Sequence, residues 1–527
     1  MLNFWKKIKI DDCWRTGWPY LLIFIFGWLL YGQTLFFDFT YFDDQSLVLE
    51  NYPIVSNVKN IGEIFLNDVF LSTPKFYYRP LLNLSLMLDM NIAGTLPFIF
   101  HFSNILIHIL AAGLIFGLLT KLKYQKPLAF WLALFFLFHP VLTQAVAWIP
   151  GRNDSLLTVF VLAAFLFFLN FLDQPRLRDY LGYLFFLLLA LFTKETAIFL
   201  PILIIFYFLV VAPKKSAASD RWLLVGGSLV VGVVWFILRS LALEHDPVTL
   251  KIVTSTILKN APALLVIIGK TLWPFNLAVL PILADAKIIY GLIVTPLLIL
   301  ALFFSRQKNY RHLVFGLAWF VLFLLPSFVR LNPVDTPDFL EHRLYLPFIG
   351  FLIILAEIDW LKNLNWPKKT VKIGATLVLI GMAFLVFRHS LSFKDRLTFW
   401  QSAVATAPHS ALAHRNLGAM YYLADNFAAA EKQYHQALAL NEREAMAHNN
   451  LGVIYLSQKR YVQATKEFQQ ELAVNPNYDK ALFNLGDLAY RQKDYLKAAE
   501  YFRAALKVNP RYGEAYEYLL ILQNQLR

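Results

Sequence analysis

Eleven apolar runs fill the first three quarters of the chain, near 17–36, 100–120, 128–148, 155–172, 179–193, 196–212, 222–243, 288–304, 312–329, 344–360 and 371–388. Most approach the roughly 20 residues that a helix needs to cross hydrocarbon. The fifth is short. The stretch 257–273 is also apolar, but Lys259, Asn260 and Lys270 interrupt it and Pro274 follows, so it predicts a helix lying in the outer interface. The pattern predicts an all-α polytopic bundle of about eleven spans over residues 1–390, with a long first outer loop at 37–99 and an interfacial loop at 244–287.

From residue 410 the apolar runs stop and the chain repeats every 34 residues. Asn416-Leu417-Gly418 recurs as Asn450-Leu451-Gly452 and Asn484-Leu485-Gly486, and the aromatics Tyr434, Phe468 and Phe502 keep the same phase. This is the tetratricopeptide pattern, in which small residues let two helices approach and aromatics fill the space between them. It predicts an α-solenoid over 391–527: a half repeat at 395–409 carrying Trp400, repeats at 410–443, 444–477 and 478–511, and a closing helix at 512–527. Such arrays form an extended groove suited to a polypeptide, with a purely architectural role as the alternative.

Composition agrees with the apolar runs: 58% of residues are hydrophobic and only 16% charged, beyond what a soluble globular chain carries. The net charge of +13 does not point to nucleic acid, because the basic residues cluster in alternate connections, as membrane topology requires. Lys6, Lys7, Lys9 and Arg15; Lys121, Lys123 and Lys126; Arg176 and Arg178; Lys214, Lys215 and Arg221; Arg306, Lys308 and Arg311; and Lys362, Lys368 and Lys369 would all face the cytoplasm. The repeats and the loops at 37–99, 149–154, 194–195, 244–287 and 330–343 then lie on the outer side. No small-residue cleavage site follows the first run, which reads as a signal anchor. Cys13 is the single cysteine and excludes an intrachain disulfide.

The outer connections hold an unusual set of polar residues: Asp43, Asp44, Arg79, Arg152, Asp154, Lys194, Glu195, Glu341, His342 and Arg343. Charges at the edge of hydrocarbon are costly and mark functional sites by default. Simpler readings exist for several. Lys194 and Glu195 would pair with each other, Arg152 and Asp154 would cap the helix that follows, and Arg79 would snorkel toward headgroups. Asp43 and Asp44 resist such readings, being adjacent carboxylates with no cation nearby in sequence. His108 and His139 read as hydrogen-bonded core histidines. The set suits group transfer from a lipid-linked phosphate, with a carboxylate as general base and Arg and Lys on the departing phosphate. No metal-ligand spacing or Gly-rich phosphate loop is present, although a divalent metal is compatible with this chemistry.

Several blocks carry a family likeness: YFDDQSLVLEN at 41–51, YRPL at 78–81, FHPVLTQAVAWIPGRNDSLL at 138–157, Thr193-Lys194-Glu195, EHRLYLP at 341–347, and the junction from Asp395 to Gly418. In these blocks and their order the chain resembles the transmembrane and tetratricopeptide-repeat O-mannosyltransferases, of the C-type glycosyltransferase fold. The resemblance implies a polyprenyl-phosphate sugar donor, an inverting transfer to a protein hydroxyl, and a catalytic acid from the first outer loop, Asp43 or Asp44. It implies phosphate-binding roles for Arg79, Arg152, Lys194 and Arg343, with Asp154, Glu195, Glu341 and His342 supporting the site. It also places the repeats, with Asn416, Asn450 and Asn484, where they would bind a polypeptide acceptor. Gln144 stands where the family often has Glu. Transfer to a lipid or glycan, and a non-enzymatic scaffold that recruits partners through its repeats, are the competing readings. Short loops point to a bacterial plasma membrane.

Overall fold

The computed structural model describes residues 17–71, 76–212, 218–243, 250–329, 339–366 and 368–525; Lys6, Lys7, Lys9, Cys13, Arg15, Lys214 and Lys215 lie outside the described residues. Chain contacts divide the molecule into two compact units, Met1–Phe399 and Trp400–Arg527. The first runs beyond the expected boundary at 390 because the following segment packs into it. Asp38 N donates to Lys394 O at 2.8 Å, and the Arg396 guanidinium lies over the Tyr41 ring.

The first unit is a helix bundle. Its longer helices are α1 (Trp18–Tyr31), α2 (Pro80–Ala93), α3 (Pro97–Lys121), α4 (Lys126–Leu137), α5 (Arg152–Asp173), α6 (Leu177–Thr193), α7 (Phe199–Val210), α8 (Ala218–Ala242), α9 (Leu250–Asn260), α10 (Ala263–Leu272), α11 (Ile289–Phe304), α12 (Tyr310–Leu324), α13 (Pro347–Ala356) and α14 (Lys369–Ser390). Proline opens α2, α3 and α13, where its missing N–H costs nothing.

Every one of the eleven apolar runs contains a helix, but the helices differ in length. Six described helices are long and apolar enough to cross a membrane, and α4 joined to the short helix after Pro140 across a 50° bend makes a seventh. The other four, α6, α7, α11 and α13, have 17, 12, 16 and 10 residues. Length and composition therefore support six or seven full crossings, fewer than the eleven that the apolar runs predict. Two of the three polar residues that interrupt 257–273 have protein partners, while Lys259 is exposed. Asn260 Nδ2 donates to Phe328 O at 3.1 Å, and Lys270 pairs with Glu341.

Small residues set two close helix crossings. A Cβ on Gly350 of α13 would lie 2.4 Å from Gly316 O of α12, and one on Gly291 of α11 would lie 1.9 Å from Leu265 O of α10. His108 and His139 are core residues as expected: His108 Nε2 meets Leu137 O at 3.1 Å and His139 Nε2 meets Thr271 O at 3.0 Å.

The second unit is the solenoid. Arg396–Thr406 leads into the pairs Ala411–Leu423 with Phe427–Leu440, Ala447–Ser457 with Tyr461–Val474, and Asp479–Arg491 with Tyr495–Val508, and Gly513–Gln525 follows. The 34-residue period has a direct physical cause. A Cβ on Gly418, Gly452 or Gly486 would fall 2.8, 2.5 or 2.6 Å from the ring of Tyr434, Phe468 or Phe502. Only glycine lets each pair close. Between the helices of each pair, Asp425, Lys459 and Lys493 adopt positive φ, again 34 residues apart.

Candidate active site

The loop after α1 is folded around one carboxylate. Asp44 has no accessible surface, and its two oxygens are fully engaged: Oδ2 accepts from Thr40 N at 2.6 Å and Thr40 Oγ at 3.0 Å, and Oδ1 accepts from Phe42 N at 2.9 Å. Tyr41 turns the backbone through a positive φ of 55°. Trp148 clamps the loop from the side, donating its Nε1–H to Thr40 Oγ at 3.1 Å and stacking on Phe42.

Asp43 differs from its neighbour. It is half-buried and makes no side-chain hydrogen bond to a described residue. Burial and the adjacent Asp44 charge push its carboxyl up to about 6, against a downward pull from Arg79 and Arg343. The pair thus divides into a carboxylate that holds the loop and one that remains available.

Beside this loop lies a cavity of about 280 Å³ lined by Arg79, Asp154, Lys194, Glu195, Arg239 and Arg343, with Phe323, Pro326 and Leu346 among its apolar wall residues. Among the described residues that line it, four are cations and two are carboxylates. Lys194 Nζ sits 2.8 Å from each oxygen of Asp154, and Arg79 Nε sits 3.3 Å from Glu195 Oε2. Glu195 Oε1 also accepts from Tyr78 N at 3.1 Å. The Arg79 guanidinium lies over the Tyr77 ring at 4.5 Å, and Arg343 Nη1 donates to Ser327 O at 2.9 Å. Burial, opposed mainly by Asp154, lowers the Lys194 ammonium to about 8. His342 approaches Asp154 at 3.6 Å, and burial takes its imidazole down to about 3, so it is neutral near pH 7.

Lys194 and Glu195 therefore do not pair with each other; each reaches a different partner. Arg152 is also a correction to the sequence reading, since it lies outside the cavity and has no accessible surface. Its donors go to Asp89 (2.6 Å), Asn104 Oδ1 (2.7 Å), Phe100 O (2.8 Å) and Ser85 O (3.2 Å), leaving nothing for a phosphate. Glu341 is likewise turned away from the cavity, pairing with Lys270 and accepting from Ala278 N at 2.8 Å. Gln144 donates to Val279 O at 2.9 Å.

Arg239 was not expected. It stands in the last turn of α8 with its guanidinium 5.9 Å from the Trp235 ring centre. Its one signal in the sequence is an arginine inside an otherwise apolar run. Among the described residues no group of three or more His, Cys, Asp or Glu could hold a metal ion.

In the solenoid, Asn416, Asn450 and Asn484 hold equivalent positions in successive repeats and are all half-buried. Asn484 Nδ2 donates to Asn449 Oδ1 at 2.8 Å.

Comparison with known proteins matches residues 79–238 to the family described as dolichyl-phosphate-mannose-protein mannosyltransferase, and residues 443–511 to the tetratricopeptide repeat. The Mus musculus protein O-mannosyl-transferase TMTC1 is 36% identical over 186 residues, 32% of this chain and 20% of that protein. The Caenorhabditis elegans protein O-mannosyl-transferase F38B6.6 is 24% identical over 431 residues, 77% of this chain and 60% of that one. The Homo sapiens protein O-mannosyl-transferase TMTC2 is 33% identical over 149 residues, 27% of this chain and 18% of that one. The chain thus spans less than two thirds of the length of these relatives. The first match includes Arg79, Asp154, Lys194 and Glu195, whereas Asp43 and Asp44 precede it.

Proposed function

We propose that this chain, which matches the family of transmembrane and tetratricopeptide-repeat O-mannosyltransferases, is a membrane glycosyltransferase that moves mannose or another hexose from a polyprenyl-phosphate donor to a protein hydroxyl. The observation that carries the reading is the cation-rich cavity around Arg79, Lys194, Arg239 and Arg343, next to a carboxylate with no hydrogen bond to a described residue. A phosphodiester is the anion that such a cavity suits.

In this mechanism the acceptor oxygen attacks C1 of the sugar from the face opposite the phosphate. The bond from C1 to the phosphate oxygen breaks, with inversion, and the acceptor proton passes to Asp43. The negative charge gathering on the departing polyprenyl phosphate is held by the four cations, in surroundings where fixed charges act strongly. Asp154 and Glu195 position Lys194 and Arg79 for that task. Asp44 acts through the loop, holding Asp43 in place. The repeats favour a polypeptide acceptor over a lipid or glycan, with Asn416, Asn450 and Asn484 along its path, and the bundle is oriented with this site on the outer face of a plasma membrane.

The test uses purified protein with radiolabelled polyprenyl-phosphate mannose and a membrane-protein fraction as acceptor. Label in protein, lost in Asp43→Asn, is the expected result. Label that moves to lipid or glycan, or full transfer by Asp43→Asn, overturns the reading.

A further inference from the structure

A second cavity system lies far from the first. α5 carries Asp154 at its start and Asp173, paired with Lys121 at 2.7 Å, at its end, so these two points are about 30 Å apart at 1.5 Å per residue. α12, with 15 residues and about 21 Å long, has Asn309 and His312 at one end and Phe323 at the other. At the end of the bundle near Lys121, a polar cavity of about 320 Å³ is lined by Lys123, His312, Glu357 and Lys362. Glu357 is neutralised locally: Tyr124 Oη donates to it at 2.6 Å, Asn309 N at 2.6 Å, and Lys362 pairs with it.

Leu128 is shared between this polar cavity and an apolar groove of about 850 Å³, bounded by α4 on one side and the first turns of α14 on the other. Three features show what the groove would accept. Trp366, with 6% of its surface exposed, stacks on Trp131 at 5.9 Å and gives the groove wall a flat aromatic surface suited to an acyl chain. Trp360, 70% exposed, stands at the rim, the kind of aromatic that sits at headgroup level. Lys368, Lys369 and Lys372 are exposed and crowd the beginning of α14 with no acid in its first turn. That is the positive end of a helix dipole, where cations are disfavoured unless an anion joins them.

We propose that this groove is a binding site for an anionic glycerophospholipid, with the acyl chains between α4 and α14 against the Trp131–Trp366 stack, and the phosphate beside Lys123 and the α14 lysines. Basic pockets between membrane helices bind acidic lipid headgroups in this way. The site is distinct from the transfer cavity, and its occupant need not be a substrate.

The experiment is native mass spectrometry of the full chain from nanodiscs of phosphatidylcholine and phosphatidylglycerol in equal parts. Phosphatidylglycerol is expected to stay bound in preference to phosphatidylcholine. Lys368→Gln/Lys369→Gln/Lys372→Gln should lower that preference by about 100-fold. A Cβ at Gly374 meets nothing within 4 Å, so Gly374→Phe should fold and exclude both lipids. Equal retention of the two lipids, an unchanged preference in the triple-lysine variant, or displacement of phosphatidylglycerol by equimolar polyprenyl phosphate would each overturn the proposal.

Discussion

Lys194 holds its ammonium 2.8 Å from both oxygens of Asp154, a bidentate ion pair that ties the break between α6 and α7 to the first turn of α5. It fixes a buried cation at the cavity wall, and it couples that cation to pH. Burial lowers the Lys194 ammonium to about 8, so its charge is lost as pH rises through that value. Asp43 shifts in the opposite sense for a base, rising to about 6, and becomes an available carboxylate only above it. The dependence of kcat/KM for the donor on pH should therefore be bell-shaped, with limbs near these two values. Arg343 pulls Asp43 downward, so Arg343→Gln should move the acid limb to higher pH. An acid limb that stays in place in this variant counts against Asp43 as the base.

The two adjacent aspartates should separate by stability as well as activity. Asp43→Asn is expected to lower transfer by about 10²- to 10⁴-fold. Because the folded state raises the Asp43 pKa above its ordinary 3.8, this residue's contribution to stability declines as pH rises from there toward about 6; the neutral amide should cost no stability at pH 7. Asp44→Asn would turn an amide N–H toward a backbone N–H and cost about 1–3 kcal/mol. Thermal unfolding in detergent distinguishes the two.

Arg239→Gln should raise the donor KM about 10- to 100-fold, the loss of a hydrogen bond to a charged group being worth about 1.5–3 kcal/mol. Melting temperature should stay near wild type. Steady-state kinetics with varied donor and saturating acceptor measures it, and an unchanged donor KM would remove Arg239 from the phosphate site.

Arg152→Ala is predicted to fail differently. It strands Asp89 in the core, so a loss of about 3–5 kcal/mol is expected, while any folded enzyme should keep its donor KM. Denaturant or thermal unfolding followed by kinetics on the surviving fraction checks both halves.

Gly452→Ala should destabilise the solenoid by about 1–3 kcal/mol through overpacking, since its Cβ would meet the Phe468 ring at 2.5 Å. Phe468→Leu in the same chain is expected to recover part of that loss. Thermal unfolding of the single and double variants gives the comparison.

The repeats were legible in the sequence because glycine and ring lie in the same unit, so a local contact leaves a periodic mark. The helical content of the apolar runs was legible for the same reason. Helix lengths were not: Pro140 and Pro347 set where α4 and α13 break or begin, and hydropathy runs pass over such breaks. The partners of Lys194 and Glu195 were hidden because Lys194 has extended backbone, with φ −160° and ψ 140°, and neighbouring side chains in such a segment point opposite ways. Arg152 was misread because its acceptors lie 48 to 67 residues earlier in the chain. Arg239 passed unnoticed inside an apolar run whose neighbours gave no sign of a cavity.

The environment of Arg152 also bears on how the protein is made. Asp89, Ser85, Phe100 and Asn104 all precede it in the chain, so the ribosome delivers every acceptor before the cation that needs them. The guanidinium enters the bilayer with its partners already synthesised, whereas Asp154, two residues further along α5, waits for Lys194. A circular permutant that begins between Asn104 and Arg152 would reverse this order, exposing an unpaired arginine during insertion even though the finished protein would contain the same contacts.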